Sequence, residues 1–385
     1  MKTAPESAIR NRQSAMKIID LQAIPLAIPL RHETPESPWV AGLEKQIIVL
    51  VHTDAGITGL GEAFAYGVPL AVCAVVEELK PLLLGTDPTQ PEALYDRLSQ
   101  ATLLYGRRGL GLFALSAIDI ALWDIVGKVK KQPLYKLLGR GETKRLPTYV
   151  SLLRYQTPPE VARVMVRGLE AGFHAVKLHQ IDLKSVSVAR EVAGERVELM
   201  LDVNCPWNAE EALAMARALV PYRLAWLEEP VWPPDDYSSL AQVRREAGIP
   251  IASGENEGTV CGFASLLAQE AADILQPSVT KVGGISEWRR IAALAVQHGK
   301  QVAAHSFYFG PGFAATLHLM AALSGCTYVE VAGCALAAPL VQEPFDFSDG
   351  TVGVPEGPGL GVTLNPEVVE KYPYSAASGS LNVRG

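Results

Sequence analysis

From residue 146 onward one device repeats along the chain. Short apolar runs, each closed by a polar or ionisable residue, recur at a nearly fixed interval. They are HAVKLH at Lys177, ELMLDVN at Asp202, LAWLEE at Glu228, IPIASGE at Glu255, ILQPS at Ser278, QVAAHS at His305 and YVEV at Glu330. The intervals are 25, 26, 27, 23, 27 and 25 residues. TYVSLL, about 26 residues before Lys177, adds an eighth run at the front. Between the runs lie seven segments, such as PEVARVMVRGLEAG and AEEALAMARALV, with apolar residues three and four apart. That is the period of an amphipathic helix. Strands alternating with helices imply βαβ units and a parallel sheet. Eight in succession imply an α/β fold, a modified TIM-type (β/α)7β barrel whose last helix is missing or replaced. The active site of such a barrel lies at the carboxyl ends of its strands, where all seven marked residues fall.

The residues before the barrel read differently. Met16–Ile28 has the pattern of a strand. Gln46–His52 and Gly56–Ala63 read as a hairpin across Thr53-Asp54-Ala55-Gly56, a turn-rich junction. Helical patterns follow at Leu70–Leu84, Pro91–Leu104 and Gly109–Lys131. The third is apolar on most faces, which places it in a buried position between domains. Its Asp119 and Asp124 read as structural hydrogen-bonding groups at that junction. The expected division is a disordered tail over 1–15, an N-terminal α+β capping domain over 16–140, and a barrel over 146–335. Residues 339–366, rich in Pro and Gly and without a helical period, are expected to run back and complete the cap. Leu138-Gly139-Arg140-Gly141 has no strand before it and no phosphate-binding helix after it, so it marks no nucleotide site.

Bulk properties remove several classes of function. Net charge is −7 with no basic run, which argues against a nucleic-acid partner. No apolar stretch is expected to approach the roughly 18 residues of a membrane span. Cys73, Cys205, Cys261, Cys326 and Cys334 are scattered without a CxxC pair. They read as reduced thiols of a cytosolic enzyme. The polar first 15 residues lack the apolar core of a secretory signal.

The chemistry follows from the strand ends. Asp202, Glu228 and Glu255 close three consecutive strands. Three converging carboxylates repel one another unless a cation neutralises them. Hard oxygen donors without Cys or His favour Mg²⁺. Strand-end caps or surface salt bridges are the structural alternative for each acid singly, and three at successive ends weigh against it. Three acids also weigh against a two-carboxylate glycosidase. Lys177 and His179, two apart on the second strand, face the mouth together, and either could be the base. Lys177 needs its pKa lowered for that role; His179 starts near 6.5. His305 closes the seventh strand, across the ring from the second, and addresses the opposite face of a ligand. Glu330 could protonate a developing enolate oxygen if its pKa is raised. Asn204, on the same face as Asp202, Asn256 and Ser278 are candidate substrate-binding residues. So are Arg31, Trp39 and Tyr66, in the loops Arg31–Ala41 and Ala63–Leu70.

These residues resemble the enolase superfamily, in its mandelate racemase and muconate lactonizing enzyme group. The likeness spans about residues 16–366 and rests on TDAGITGLGEA at 53–63, ALSAIDIALWDIVGK at 114–128, KLH at 177–179, DVN at 202–204, LEEP at 227–230, GEN at 254–256, KVGG at 281–284 and His305. It implies a capping domain over a (β/α)7β barrel, Mg²⁺ held by Asp202, Glu228 and Glu255, and removal of a proton α to a carboxylate. It further implies cap loops that set specificity and a homo-oligomer. Two positions depart from the pattern. Mandelate-racemase-like members carry Lys-x-Lys where this chain has Lys177 and His179. They carry Asp, and muconate-lactonizing-like members Lys, where it has Ser278. A Ser hydroxyl can orient His305 but lends it no charge, so His305 should be a weak base that remains usable as an acid. The expected reaction is dehydration of a small carboxylate substrate, a sugar acid. Racemisation, epimerisation or cycloisomerisation is the nearest alternative, and a non-catalytic metal-binding protein a more distant one.

Overall fold

The computed structural model of the protein describes residues 16–31, 43–139 and 144–375. Three strands, β1 (Ile18–Pro29), β2 (Leu43–Thr53) and β3 (Thr58–Ala63), form an antiparallel sheet in sequence order. Their register places Leu21 opposite Val51 and Val49 opposite Gly61. Helices α1 (Pro69–Leu83), α2 (Pro91–Ala101) and α3 (Leu110–Lys130) complete this unit. Helix α3 lies so close to β3 that a Cβ on Gly59 would strike the carbonyl oxygen of Ala121. One on Gly61 would strike that of Ala117. Only glycine permits this approach, which accounts for the spacing of GLGE.

Helix α3 corrects one expectation. It is long and apolar enough to cross a membrane, yet 89% of its most apolar window is buried inside the fold. An all-round apolar helix needs apolar neighbours on every side, and here both layers supply them. Its two acids do the polar work of that junction. Asp119 accepts from the Ser286 amide at 2.9 Å and hydroxyl at 2.6 Å. Asp124 accepts from the amides of Leu60 at 2.9 Å and Leu360 at 2.8 Å, and from Lys128. Asp124→Ala is expected to cost about 3–5 kcal/mol, since it orphans buried donors and a partly buried ammonium. A lower urea midpoint with unchanged slope would register it.

After the short helix α4 (Leu134–Leu138) come eight parallel strands: β4 (Arg145–Ser151), β5 (Ala175–Leu178), β6 (Glu198–Asp202), β7 (Leu227–Glu228), β8 (Ile251–Ser253), β9 (Ile274–Leu275), β10 (Gln301–Ala304) and β11 (Cys326–Ala332). They pair in chain order, and β11 closes on β4 with Val329 opposite Thr148. Seven helices alternate with them, α5 (Pro158–Glu170), α6 (Leu183–Ala193), α7 (Ala209–Leu219), α8 (Tyr237–Glu246), α9 (Thr259–Ala268), α10 (Gly284–Gln297) and α11 (Pro311–Ala322). The five cysteines are free.

The segment after β11 does more than cover the cap. β12 (Phe347–Ser348) and β13 (Thr351–Gly353) form a hairpin whose second strand runs antiparallel to β4. The chain then passes Asp124, forms α12 (Pro366–Lys371) and pairs Pro373 with Leu26 of β1.

A second acid joins cap to barrel. Glu62, at the end of β3, is buried and accepts from the Gly312 amide at the start of α11, 2.8 Å away. Burial, against the pull of that amide, pushes its carboxyl up from 4.5 to about 7. The folded chain therefore holds a proton there that the unfolded chain has released. Stability falls as pH rises through that window, by up to about 3 kcal/mol. Glu62→Gln is expected to flatten the slope, measured as urea midpoints between pH 5 and 8.

Candidate active site

One layer of side chains fills the barrel: Tyr149, Ala175, Met200, Trp226, Ala252, Ile274 and Ala303. On a strand, the residue two positions further on faces the same way. That rule aims Ser151, Lys177, Asp202, Glu228, Gly254, Gln276 and His305 inward at the carboxyl end. The acid of the fifth strand sits one position later. Gly254 has φ +134°, and a Cβ on it would press on Phe263. This glycine-only turn carries Glu255 back to the others.

Asp202, Glu228 and Glu255 each place a carboxylate oxygen within 4.8 Å of the other two. Lys177 donates to Glu228 at 3.0 Å and reaches Glu330 at 2.9 Å and Asp202 at 3.6 Å. Trp226 donates to the other Glu228 oxygen at 3.0 Å. Burial drives the Glu228 carboxyl well above its ordinary range, against Lys177, with Asp202 and Glu330 adding to the rise. At Asp202, Lys177 and His179 outweigh burial and hold the pKa low. At Glu255, His305 and Lys281 outweigh burial and hold it lower still. One of three clustered acids is thus pushed towards its neutral form. A divalent cation among them would remove that conflict, and three hard oxygens suit Mg²⁺. The residues fit the ion that the sequence implied.

The groups beside the triad form a dense net of charge. Lys177 has no solvent exposure. Burial alone would lower its pKa, but Glu228 and Glu330 outweigh it and raise it well above the ordinary value. Glu330 is held down at about 2, because Lys177 and His305 outweigh its burial. It also accepts from the Ser306 amide at 2.8 Å. As an anion it anchors Lys177, 2.9 Å away; the part of proton donor asks for a raised pKa.

His179 is partly open, with a side-chain exposure of 12%. Its Nδ1 meets the Leu152 carbonyl at 2.5 Å and its Nε2 lies 3.2 Å from Asp202. A carbonyl only accepts, so Nδ1 carries the hydrogen. Nε2 is left to face the metal triad. His305 places Nε2 2.9 Å from Glu255 and 4.0 Å from Glu330.

Asn204 donates to Asp202 at 3.0 Å, and its buried Oδ1 has no protein partner. Asn256 donates to Glu229 at 2.6 Å and to Glu255 at 3.3 Å. Asn204, Cys205 and Glu229 all adopt positive φ, at 55°, 55° and 45°. Such strain costs about 1–3 kcal/mol per residue and collects at functional sites.

Ser278 is fully buried and bonds the Tyr308 hydroxyl rather than His305. Arg31 donates to the Leu336 carbonyl at 3.2 Å. It lines a cavity of about 290 Å3 with Tyr308, Phe309 and Phe345, whose lining includes none of the three acids. Tyr66 is exposed and stacked on Phe64 at 6.3 Å. Trp39 lies outside the described residues.

The sequence reading left out four residues here. Gln276 is fully buried with neither end of its amide paired. Lys281, only 6% exposed, rests its ammonium 4.5 Å above the Phe64 ring. Glu229 is buried and pushed up to about 8 by that burial and by Glu255. Tyr308 stands between Ser278 and His305. The inward register reveals Gln276 once β9 is placed; Tyr308, four residues beyond its strand, carries no periodic signal.

Comparisons with known proteins agree with this geometry. Residues 160–368 match the family described as enolase C-terminal domain-like. Residues 30–139 match the mandelate racemase / muconate lactonizing enzyme N-terminal domain. An arabinonate dehydratase of Saccharolobus solfataricus is 35% identical over 84% of this chain and 89% of its own length. A 3,6-anhydro-alpha-L-galactonate cycloisomerase of Streptomyces coelicolor is 33% identical over 88% of this chain and 95% of its own. The crystal structure of a racemase from Streptomyces coelicolor A3(2) with bound magnesium superposes with a TM-score of 0.83 at 32% identity, covering 93% of this chain and all of that one. The chain belongs to the enolase superfamily, in its mandelate racemase/muconate lactonizing enzyme family, and is a lyase or isomerase of that superfamily.

Proposed function

We propose that this chain removes the proton α to the carboxylate of a sugar acid and then expels the β-hydroxyl as water, giving a 2-keto acid. The observation that carries the reading is the His179 ring. Its Nδ1 hydrogen is committed to the Leu152 carbonyl. Its Nε2 lies 3.2 Å from Asp202, at the triad, where a substrate carboxylate would sit.

Asp202, Glu228 and Glu255 would hold one Mg²⁺. When bound, that ion supplies a Lewis acid that offsets the negative charge growing on the substrate carboxylate. His179 Nε2 takes the α-proton. Lys177, fixed as an ammonium by Glu228 and Glu330, adds positive charge beneath the same carboxylate without leaving its place. The α-carbon electron pair then forms the new double bond as the β C–O bond breaks. His305, reaching in from β10, gives its Nε2 proton to the departing oxygen. The enol left behind ketonises to the 2-keto acid.

Two unlike histidine settings on opposite sides of the ring support elimination, which uses one base and one acid. The arabinonate dehydratase relative supports the same reaction class. The second reading, cycloisomerisation, draws on the cycloisomerase relative and shares the first proton transfer. A panel of aldonic acids that includes arabinonate, incubated with the protein and Mg²⁺, separates the two. Elimination lowers product mass by one water and yields a semicarbazide-reactive 2-keto acid. Product of unchanged mass from every active acid overturns it.

A further inference from the structure

We propose that Tyr308, braced by Ser278, is the positioning residue that aims His305 at the substrate's leaving oxygen. The inference rests on the dehydratase reading and extends it to a residue outside the metal site.

The geometry is a chain of hydroxyls ending on an imidazole. Ser278 Oγ bonds the Tyr308 hydroxyl. That hydroxyl stands 3.5 Å from His305 Nδ1. The two rings meet edge to face, with centroids 6.0 Å apart at 77°. On the far side of the imidazole, Nε2 lies 2.9 Å from Glu255. Ser278 and Tyr308 are both buried, so solvent does not fix the ring's orientation. The 3.5 Å gap is longer than a closed hydrogen bond. Catalytic contacts of this kind shorten when substrate binds.

A hydroxyl differs from a carboxylate behind an imidazole in one decisive way. It orients the ring without adding negative charge, so it does not strengthen the ring as a base. Burial also raises the Tyr308 hydroxyl out of reach of ionisation. His305 is thereby held at both nitrogens, by Tyr308 at Nδ1 and by Glu255 at Nε2. Its Nε2 hydrogen passes to the β-hydroxyl as the C–O electron pair leaves with that oxygen, and water departs. The hydrogen at Nδ1 stays on the ring, accepted by the Tyr308 oxygen. Tyr308 never touches the substrate.

Tyr308→Phe keeps the ring packing and deletes the hydroxyl. Its effect is read as the ratio of two rates on one aldonic acid: deuterium uptake at the α-carbon in D2O, and 2-keto acid formation. The expected result is a rise of about tenfold or more in exchange relative to elimination, since a misaimed acid loses part of the 10²–10⁴-fold that general acid catalysis provides. KM should barely change while kcat for elimination falls. Ser278→Ala should move the ratio the same way, and Ser278→Thr, which keeps a hydroxyl, should restore it. An unchanged ratio in folded Tyr308→Phe and Ser278→Ala proteins overturns the inference. If no aldonic acid is turned over by the unmodified protein, the dehydratase reading fails separately. The 15N resonance of His305 Nδ1 then decides this one. It should move in Tyr308→Phe, and a resonance at the same position in both proteins overturns the role of Tyr308.

Discussion

Replacing His179 by Asn should cut deuterium uptake at the substrate α-carbon by about 10²–10⁴-fold, or about 3–5 kcal/mol of barrier. Asn fits the space and can still address the Leu152 carbonyl, but it has no lone pair to accept the proton. The prediction follows from a contrast between neighbours. Lys177 and His179 point the same way from β5, yet only the histidine is partly open. The lysine lies among three carboxylates at 2.9–3.6 Å. Exchange measured by proton NMR, with circular dichroism to verify folding, checks the assignment. Undiminished exchange in folded His179→Asn would return the role of base to another group.

Mg²⁺ should stabilise the folded chain, and loss of one triad carboxylate should abolish the effect. An ion that binds only the folded state adds about 2.7 kcal/mol at one hundred times its dissociation constant. In this site it also relieves the mutual repulsion of Asp202, Glu228 and Glu255, which converge within 4.8 Å. Differential scanning calorimetry with and without the ion, and with a chelator, reads the shift in Tm. Asp202→Asn and Glu255→Gln should each leave Tm insensitive to Mg²⁺ and reduce elimination below detection. A Tm that responds to Mg²⁺ equally in all three proteins would place the ion elsewhere.

The spacing of apolar runs was enough to place seven strand ends, because a parallel barrel forces each strand and helix pair to a similar length. It therefore brought out Asp202, Glu228 and Glu255 as a set. It also separated the cap, whose hairpin and long apolar helix follow a different rhythm. The spacing says nothing about which neighbour sets the charge of a group. It could not show that Glu330, a candidate proton donor only with a raised pKa, has Lys177 2.9 Å away holding its carboxyl low. Ser278 was read as a direct neighbour of His305, and Tyr308 occupies the place between them. Glu229 and Cys205 reach the site through left-handed backbone turns that no hydrophobic period encodes. The hairpin of β12 and β13 escaped notice because two- and three-residue strands are too short to show alternation.

The pairing of Pro373 with Leu26 has a bearing on how the molecule comes into being. In chain order β1 meets this edge partner only after every barrel strand. Asp124 likewise waits for Leu360. The N-terminal unit must therefore persist with an open flank while the whole barrel is synthesised beside it. Loss of residues 354–375 would injure β1 and α3 as much as the barrel.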